Sequence, residues 1–110
     1  RSPVARRCGY QRGVAEYSLA HHREAIDAYE RSASLGYQVG TSHYNRACSL
    51  ALLGESKPAI DAIELAIRSG LRNREEMIRT DEDLKSIRDT PEFKILHYRS
   101  KLQAPTSKLP

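Results

Sequence analysis

Residues 59–67 have the sequence Ala-Ile-Asp-Ala-Ile-Glu-Leu-Ala-Ile, and the first four of these residues also occur at 25–28, which is 34 positions earlier. In the later stretch the alanines and isoleucines recur at i, i+1, i+3, i+4, i+7 and i+8, a spacing that places them on one face of an α-helix. The sequence therefore predicts a helical repeat whose period is the shift from Ala25 to Ala59. The same shift aligns further pairs: Tyr10 with Tyr44, Leu19 with Leu53, Glu30 with Glu64, and Gly36 with Gly70.

Each period contains the signals of two helices. The patterns predict helices at about 9–19 and 23–35 in the first period, and at about 42–53 and from 56 onward in the second. Between the helices of the second period, Gly54 is expected to end one helix, Ser56 to cap the next, and Pro58 to lie in its first turn. Small residues recur where paired helices would approach most closely, and a larger side chain there would force the helices apart. These positions are Gly13 and Ala47 on the first helices and Ala25 and Ala59 on the second.

This pattern of small residues, in two helices per period, resembles the tetratricopeptide repeat. The resemblance covers about residues 6–73 and implies an all-α, right-handed α-solenoid with repeats at about 6–39 and 40–73. The sequence departs from the family pattern where a tryptophan is usual, because Gly9 and His43 stand there, and the family's late proline is missing.

The flanking segments complete the predicted organisation. Residues 1–8 are predicted to be a basic arm, 9–102 a helical domain, 74–102 its C-terminal cap, and 103–110 a disordered tail. Within the cap, Thr80 precedes the acids 81–83, and Thr90 precedes Pro91 and Glu92, so helices are expected to begin there. This segment resembles the tail that follows the last repeat in bacterial members of the family. Because the chain begins at Arg1, we expect a fragment or a processed product.

The charge distribution argues against nucleic acid as a partner. The 18 lysines and arginines exceed the 14 acids by four, but six of these bases lie near the termini. The remaining 12 bases and 14 acids give the body a net charge of −2, so no continuous basic surface is predicted. No apolar run approaches the roughly 20 residues that a membrane span needs. Two cysteines without metal-binding spacing favour a reducing compartment, which makes the cytoplasm the expected location.

We find no catalytic or metal-binding motif, and the sequence predicts neither an enzyme nor a cofactor. The adjacent pair His21 and His22 would point about 100° apart on a helix and falls in a turn. The acids 81–83 are explained by a helix N-terminus. Cys48 has no visible base beside it, so a buried thiol is expected rather than a nucleophile.

The expected function is therefore binding of a protein or peptide, or scaffolding, and the partner's identity is open. The resemblance implies that the first helix of each pair lines a concave face that holds the partner. Asn45 has an amide that can bond an extended peptide backbone, although a purely structural bond is an equal alternative. For Tyr10 and Tyr44, packing within the helix layer is the favoured alternative. Some members of the family bind the acidic C-terminal tails of heat-shock chaperones. This mode of binding is disfavoured here, since Glu75 would repel the carboxylates of such a ligand. The predicted partner-binding residues are Tyr10, Gln11, Val14, Tyr17, Tyr44, Asn45, Cys48 and Leu52.

Two further expectations follow from the repeat number. Two repeats leave the outer face of the first helix uncovered, which predicts either further repeats upstream or a homodimer through that edge. The alternative function is a non-catalytic regulatory or oligomerisation domain of a larger bacterial enzyme, such as a kinase or peptidase.

Overall fold

The computed structural model describes residues 3–96, with side chains from residue 7 onward, and this range is all-helical without a strand. The expected all-α class is thereby confirmed. The helices are α1 (Pro3–Ser18), α2 (His22–Ser34), α3 (Val39–Leu52), α4 (Ser56–Arg68) and α5 (Arg74–Thr80), followed by a 3-10 helix at Glu82–Leu84; residues 91–96 are again α-helical. The predicted tail at 103–110 and the last part of the cap, 97–102, lie outside the described residues.

The helix boundaries repeat with the predicted period. Helices α2 and α4 have 13 residues each and begin 34 positions apart, and α1 and α3 end 34 positions apart. Each of these four helices ends with the same two backbone hydrogen bonds, a pattern that closes a helix around one residue of positive φ. The positive-φ residues are Ala20, Gly36, Gly54 and Gly70, which form two pairs related by the same period.

Consecutive helices pack against one another in the order α1, α2, α3, α4. The alanines predicted to allow close helix approach, Ala25, Ala47 and Ala59, are completely buried. Apolar residues of the cap join the same hydrophobic core as α3 and α4, so the cap covers this helix pair. These cap residues are Ile78, Leu84, Ile87, Phe93 and Leu96.

Helix α1 is held differently from α4, because none of its described side chains belongs to that core. At Gly13 of α1, an added Cβ atom would lie 2.6 Å from the ring of Tyr29 on α2. Tyr29 is buried, with 2% of its surface exposed, so its ring has little room to move away. A glycine is therefore required for the observed packing of α1.

Four helix starts differ in how well the sequence indicated them. Thr90 accepts a hydrogen bond from the backbone N–H of Phe93, as a capping residue should. Glu55 rather than Ser56 stands at the N-cap of α4, and it makes no side-chain capping bond. Asp81 caps only the short 3-10 helix, through the backbone N–H of Asp83. Helix α1 begins at Pro3, earlier than the start predicted near Gly9.

Replacing Gly13 with alanine is expected to destabilise the protein. The new methyl group would overlap the Tyr29 ring, at a cost of about 1–3 kcal/mol, of which the better helix propensity of alanine returns about 1 kcal/mol. Urea unfolding followed by circular dichroism measures the difference. Gly9→Ala is the matched control, because its Cβ would meet its nearest neighbour at an ordinary 3.5 Å; equal destabilisation by both substitutions would contradict the argument.

The ends of α1 and α3 provide a reciprocal test of backbone strain. Ala20 has a φ of 62°, whereas the equivalent Gly54 has a φ of 80° with open space where a Cβ would be. We expect Ala20→Gly to stabilise the fold by up to about 1 kcal/mol and Gly54→Ala to destabilise it by about 1 kcal/mol. Thermal or urea unfolding gives both values, and changes of the same sign in the two variants would contradict the expectation.

Candidate functional site

A groove of about 340 Å³ lies where α1, α3 and the start of the 3-10 helix come together. We call it the α1–α3 groove. Tyr29 of α2 contributes from the helix between them. The residues that line it are Val14, Tyr17, Tyr29, Asn45, Cys48, Asp81 and Asp83.

Half of the predicted partner-binding residues line this groove. Val14 and Tyr17 come from α1, and Asn45 and Cys48 come from α3. Val14 occupies the same repeat position as Cys48, since one period separates the two. The repeat therefore places side chains of two equivalent helices on one concave surface.

The other four predicted residues do not line the groove. Tyr10 packs its ring edge-to-face against Tyr29 and Tyr37, with centroids 5.8 and 5.7 Å away. Tyr44 is only 2% exposed and lies in the core, so it has almost no surface to offer a partner. Gln11 and Leu52 are exposed at other places on the surface.

Sequence reasoning did not assign Tyr29, Asp81 and Asp83 to the binding surface. The sequence contains a signal for the two aspartates that we did not use. Position 82 lies one period after Cys48, because 48 + 34 = 82, so residues 81–83 surround the position that corresponds to Cys48 in the next unit. The helical pattern ends before this point, and the acids were explained by a helix N-terminus instead.

The two aspartates are held by hydroxyl groups from two different helices. The Tyr44 hydroxyl donates to Oδ2 of Asp81 over 2.7 Å, and the Tyr17 hydroxyl donates to Oδ2 of Asp83. The Asp83 backbone N–H donates to Oδ1 of Asp81 over 3.0 Å. This network fixes both carboxylates at one end of the groove and ties α1 to the cap.

No basic side chain within residues 7–96 forms an ion pair with either carboxylate. The Arg88 guanidinium is nearby, but it donates to the backbone oxygen of Asp81. One carboxylate oxygen of Asp81 lies within 4.8 Å of one of Asp83, so the two like charges repel each other. The groove therefore has an acidic end, and neither of its carboxylates forms an ion pair within this part of the chain.

The acidic end affects the titration of its neighbours. Burial, and then the hydrogen bond to Asp83, raises the pKa of Tyr17 far above its ordinary value. Burial is also the largest cause of the raised pKa of Tyr44 and of Cys48, to which the Asp81 charge adds. These hydroxyl and thiol groups consequently stay protonated at neutral pH and serve as hydrogen-bond donors.

Cys48 lies close enough to the aspartates for a shared ligand. One ligand atom each from Cys48, Asp81 and Asp83 lies within 4.8 Å of the other two. Three such ligands are one fewer than a structural zinc site uses. Tyrosine hydroxyls already bond both carboxylates, so proximity alone does not assign a metal to this cluster.

Asn45 forms the middle of the groove wall. It is half-buried, and its amide approaches the hydroxyl of Tyr29, whose pKa is nevertheless raised to about 12, chiefly by burial. A carboxamide has two N–H donors and an oxygen that accepts two bonds. The Asn45 amide therefore has donor and acceptor capacity for another molecule.

The histidine pair does not converge on a common site. The His21 ring is 2.8 Å from the Glu16 carboxylate, whereas the His22 ring is 3.3 Å from the hydroxyl of Ser49. The hydrogen bond to His21 is the largest cause of the lowered pKa of Glu16. The two imidazoles thus bond to different helices.

No protein-family model and no solved structure gives a significant match to this chain. The tetratricopeptide resemblance accordingly rests on the residues quoted above. Among the described residues, no helix has the length and apolar character that a bilayer span requires.

The two cysteines are expected to differ sharply in reactivity. Cys8 is exposed, whereas Cys48 is buried and its thiolate is disfavoured by burial and by the Asp81 charge. An aromatic disulfide reagent at neutral pH should modify Cys8 rapidly and Cys48 at least about a hundred-fold more slowly, because each unit of raised pKa removes tenfold of the reactive thiolate. Cys8→Ser should eliminate the rapid phase, and rapid reaction in that variant would contradict the described environment of Cys48.

Proposed function

We propose that this chain is a protein-interaction module that binds an extended peptide segment in the α1–α3 groove. The observation that carries the proposal is the meeting of Val14, Tyr17, Asn45 and Cys48, which come from two equivalent helices, in a single concavity. Peptide-binding sites of this kind need exposed apolar surface beside fixed polar groups. Val14 supplies the former, with 42% of its surface exposed, and Asn45 the latter.

Asn45 is suited to bonding a peptide backbone. An extended peptide presents N–H and C=O groups that are free on at least one side, and a carboxamide can pair with both kinds of group. Asn45 is half-buried on helix α3, which limits the orientations of its amide before any partner arrives. Such orientation reduces the entropy that binding must otherwise remove.

Packing and hydrogen bonds hold the side chains around the groove in place, which favours binding of a partner without rearrangement of the groove. Tyr29 is packed in place by Gly13 and by the ring of Tyr10, so one wall has a fixed shape. The hydrogen bonds of Tyr17 and Tyr44 fix the opposite, acidic end. A surface built on such supported side chains favours recognition of a particular sequence over general adhesion.

Selection of random peptides displayed on phage against the immobilised chain tests the proposal. Peptides that are enriched should bind with an affinity that falls about ten-fold in Asn45→Ala, since two backbone hydrogen bonds are lost. Gln11→Ala is the matched control, because this polar residue is exposed on α1 but does not line the groove. Its affinity should stay within about two-fold of that of the original protein.

Circular dichroism must show that Asn45→Ala remains folded, because the substitution also removes the amide beside the Tyr29 hydroxyl. If the enriched peptides bind Asn45→Ala as tightly as they bind the original protein, Asn45 is not part of the binding site. If the selection enriches no peptide that binds in the groove, the proposed function itself is overturned.

A further inference from the structure

We infer that the partner places a lysine or arginine side chain in the α1–α3 groove, with its cationic head between Asp81 and Asp83. This inference rests on the proposed function and adds the chemistry of the ligand to it. It is carried by the shape of the groove together with the charge, aromatic surface and apolar surface of the residues that line it.

Charge complementarity is the first step. Asp81 and Asp83 are both half-buried and form no ion pair with the described part of the chain. Within the same residues, Oδ1 of Asp83 accepts no hydrogen bond, whereas its Oδ2 accepts one from Tyr17. A cation at this end would relieve the repulsion between the carboxylates and bond to the open oxygen.

The walls of the groove suit the remainder of a long basic side chain. The half-buried ring of Tyr17 offers aromatic surface, over which an ammonium or guanidinium group is attracted. Val14 provides exposed apolar surface against which the methylene stem can pack. A carboxylate ligand would instead meet two like charges, so an acidic peptide is disfavoured.

The position of Asn45 in the groove is compatible with a cationic side chain that belongs to a peptide. Asn45 lies in the same groove and has free capacity for backbone groups. A peptide that bonds Asn45 through its backbone can extend a side chain toward Asp83 within the same cavity. The competing occupant is a divalent metal held by Cys48, Asp81 and Asp83, and the experiment below distinguishes the two.

The test is a titration of the ¹⁵N-labelled chain with four acetylated, amidated peptides, followed by two-dimensional NMR in the presence of EDTA. The peptides differ only in the central residue between glycines, which is lysine, arginine, glutamine or glutamate. Lysine and arginine peptides should shift the signals of Tyr17, Asn45 and Asp83 with at least ten-fold higher affinity than the glutamine peptide. The glutamate peptide should bind most weakly, and added salt should weaken binding of the two basic peptides.

The matched variants are Asp83→Asn and Glu82→Gln. Asparagine keeps an oxygen for the Tyr17 hydroxyl while it removes the charge, so Asp83→Asn should weaken the basic peptides about ten-fold and leave the fold intact. Glu82 is exposed next to the groove without lining it, so Glu82→Gln should change the affinity less than two-fold. Equal losses in both variants would indicate only a general effect of net charge and would overturn the inference.

The remaining outcomes separate this inference from the proposed function. Equal affinity for the lysine and glutamine peptides at the groove overturns the cationic ligand but leaves peptide binding intact. Absence of binding by all four peptides overturns the inference, whereas the phage selection decides separately whether the groove binds any peptide. Binding that requires added zinc or manganese without EDTA overturns the inference in favour of a metal site.

Discussion

The contact between α1 and α2 at Gly13 is the constraint on which the shape of the groove depends. Tyr29 fills the space that a side chain at this position would occupy, and the same tyrosine lines the groove. A protein interior is packed too densely for the ring to shift without disturbing other contacts. This contact therefore constrains both the spacing of α1 and α2 and the position of the Tyr29 ring beside the groove.

The alanines at equivalent positions extend this arrangement along the chain. Ala25, Ala47 and Ala59 are fully buried, which lets consecutive helices approach closely and leaves the larger apolar side chains to fill the core. Helix endings that repeat with the same period then turn the chain in the same way after each helix. Two kinds of local constraint thus position α1 and α3 beside one groove: helix contacts at small residues, and turns that repeat with the period.

The sequence predicted most of the helices and the wall of the site but not its charged end. The repeat period and the spacing of apolar residues around Ile63 identified helix pairs because both signals can be read directly along the chain. The aspartates were harder to place, since Asp83 bonds to Tyr17, which is 66 positions away in the sequence. Their positions depend on how the cap folds back, and a short 3-10 helix has too few residues to produce a periodic pattern. Tyr44 was included among the binding residues because repeat position does not reveal which tyrosine the cap will cover.

The bond from the Tyr17 hydroxyl to Asp83 also bears on where this domain can be divided. Helix α1 contributes none of its described side chains to the main core, and besides its packing against α2 it is joined to the cap by this hydrogen bond. A recombinant truncation that stops after α4 would retain all four long helices, yet it would remove the acceptor for Tyr17. It would also remove the core residues Ile78, Leu84, Ile87, Phe93 and Leu96, so both helix pairs would lose contacts made by residues near the opposite end of the chain.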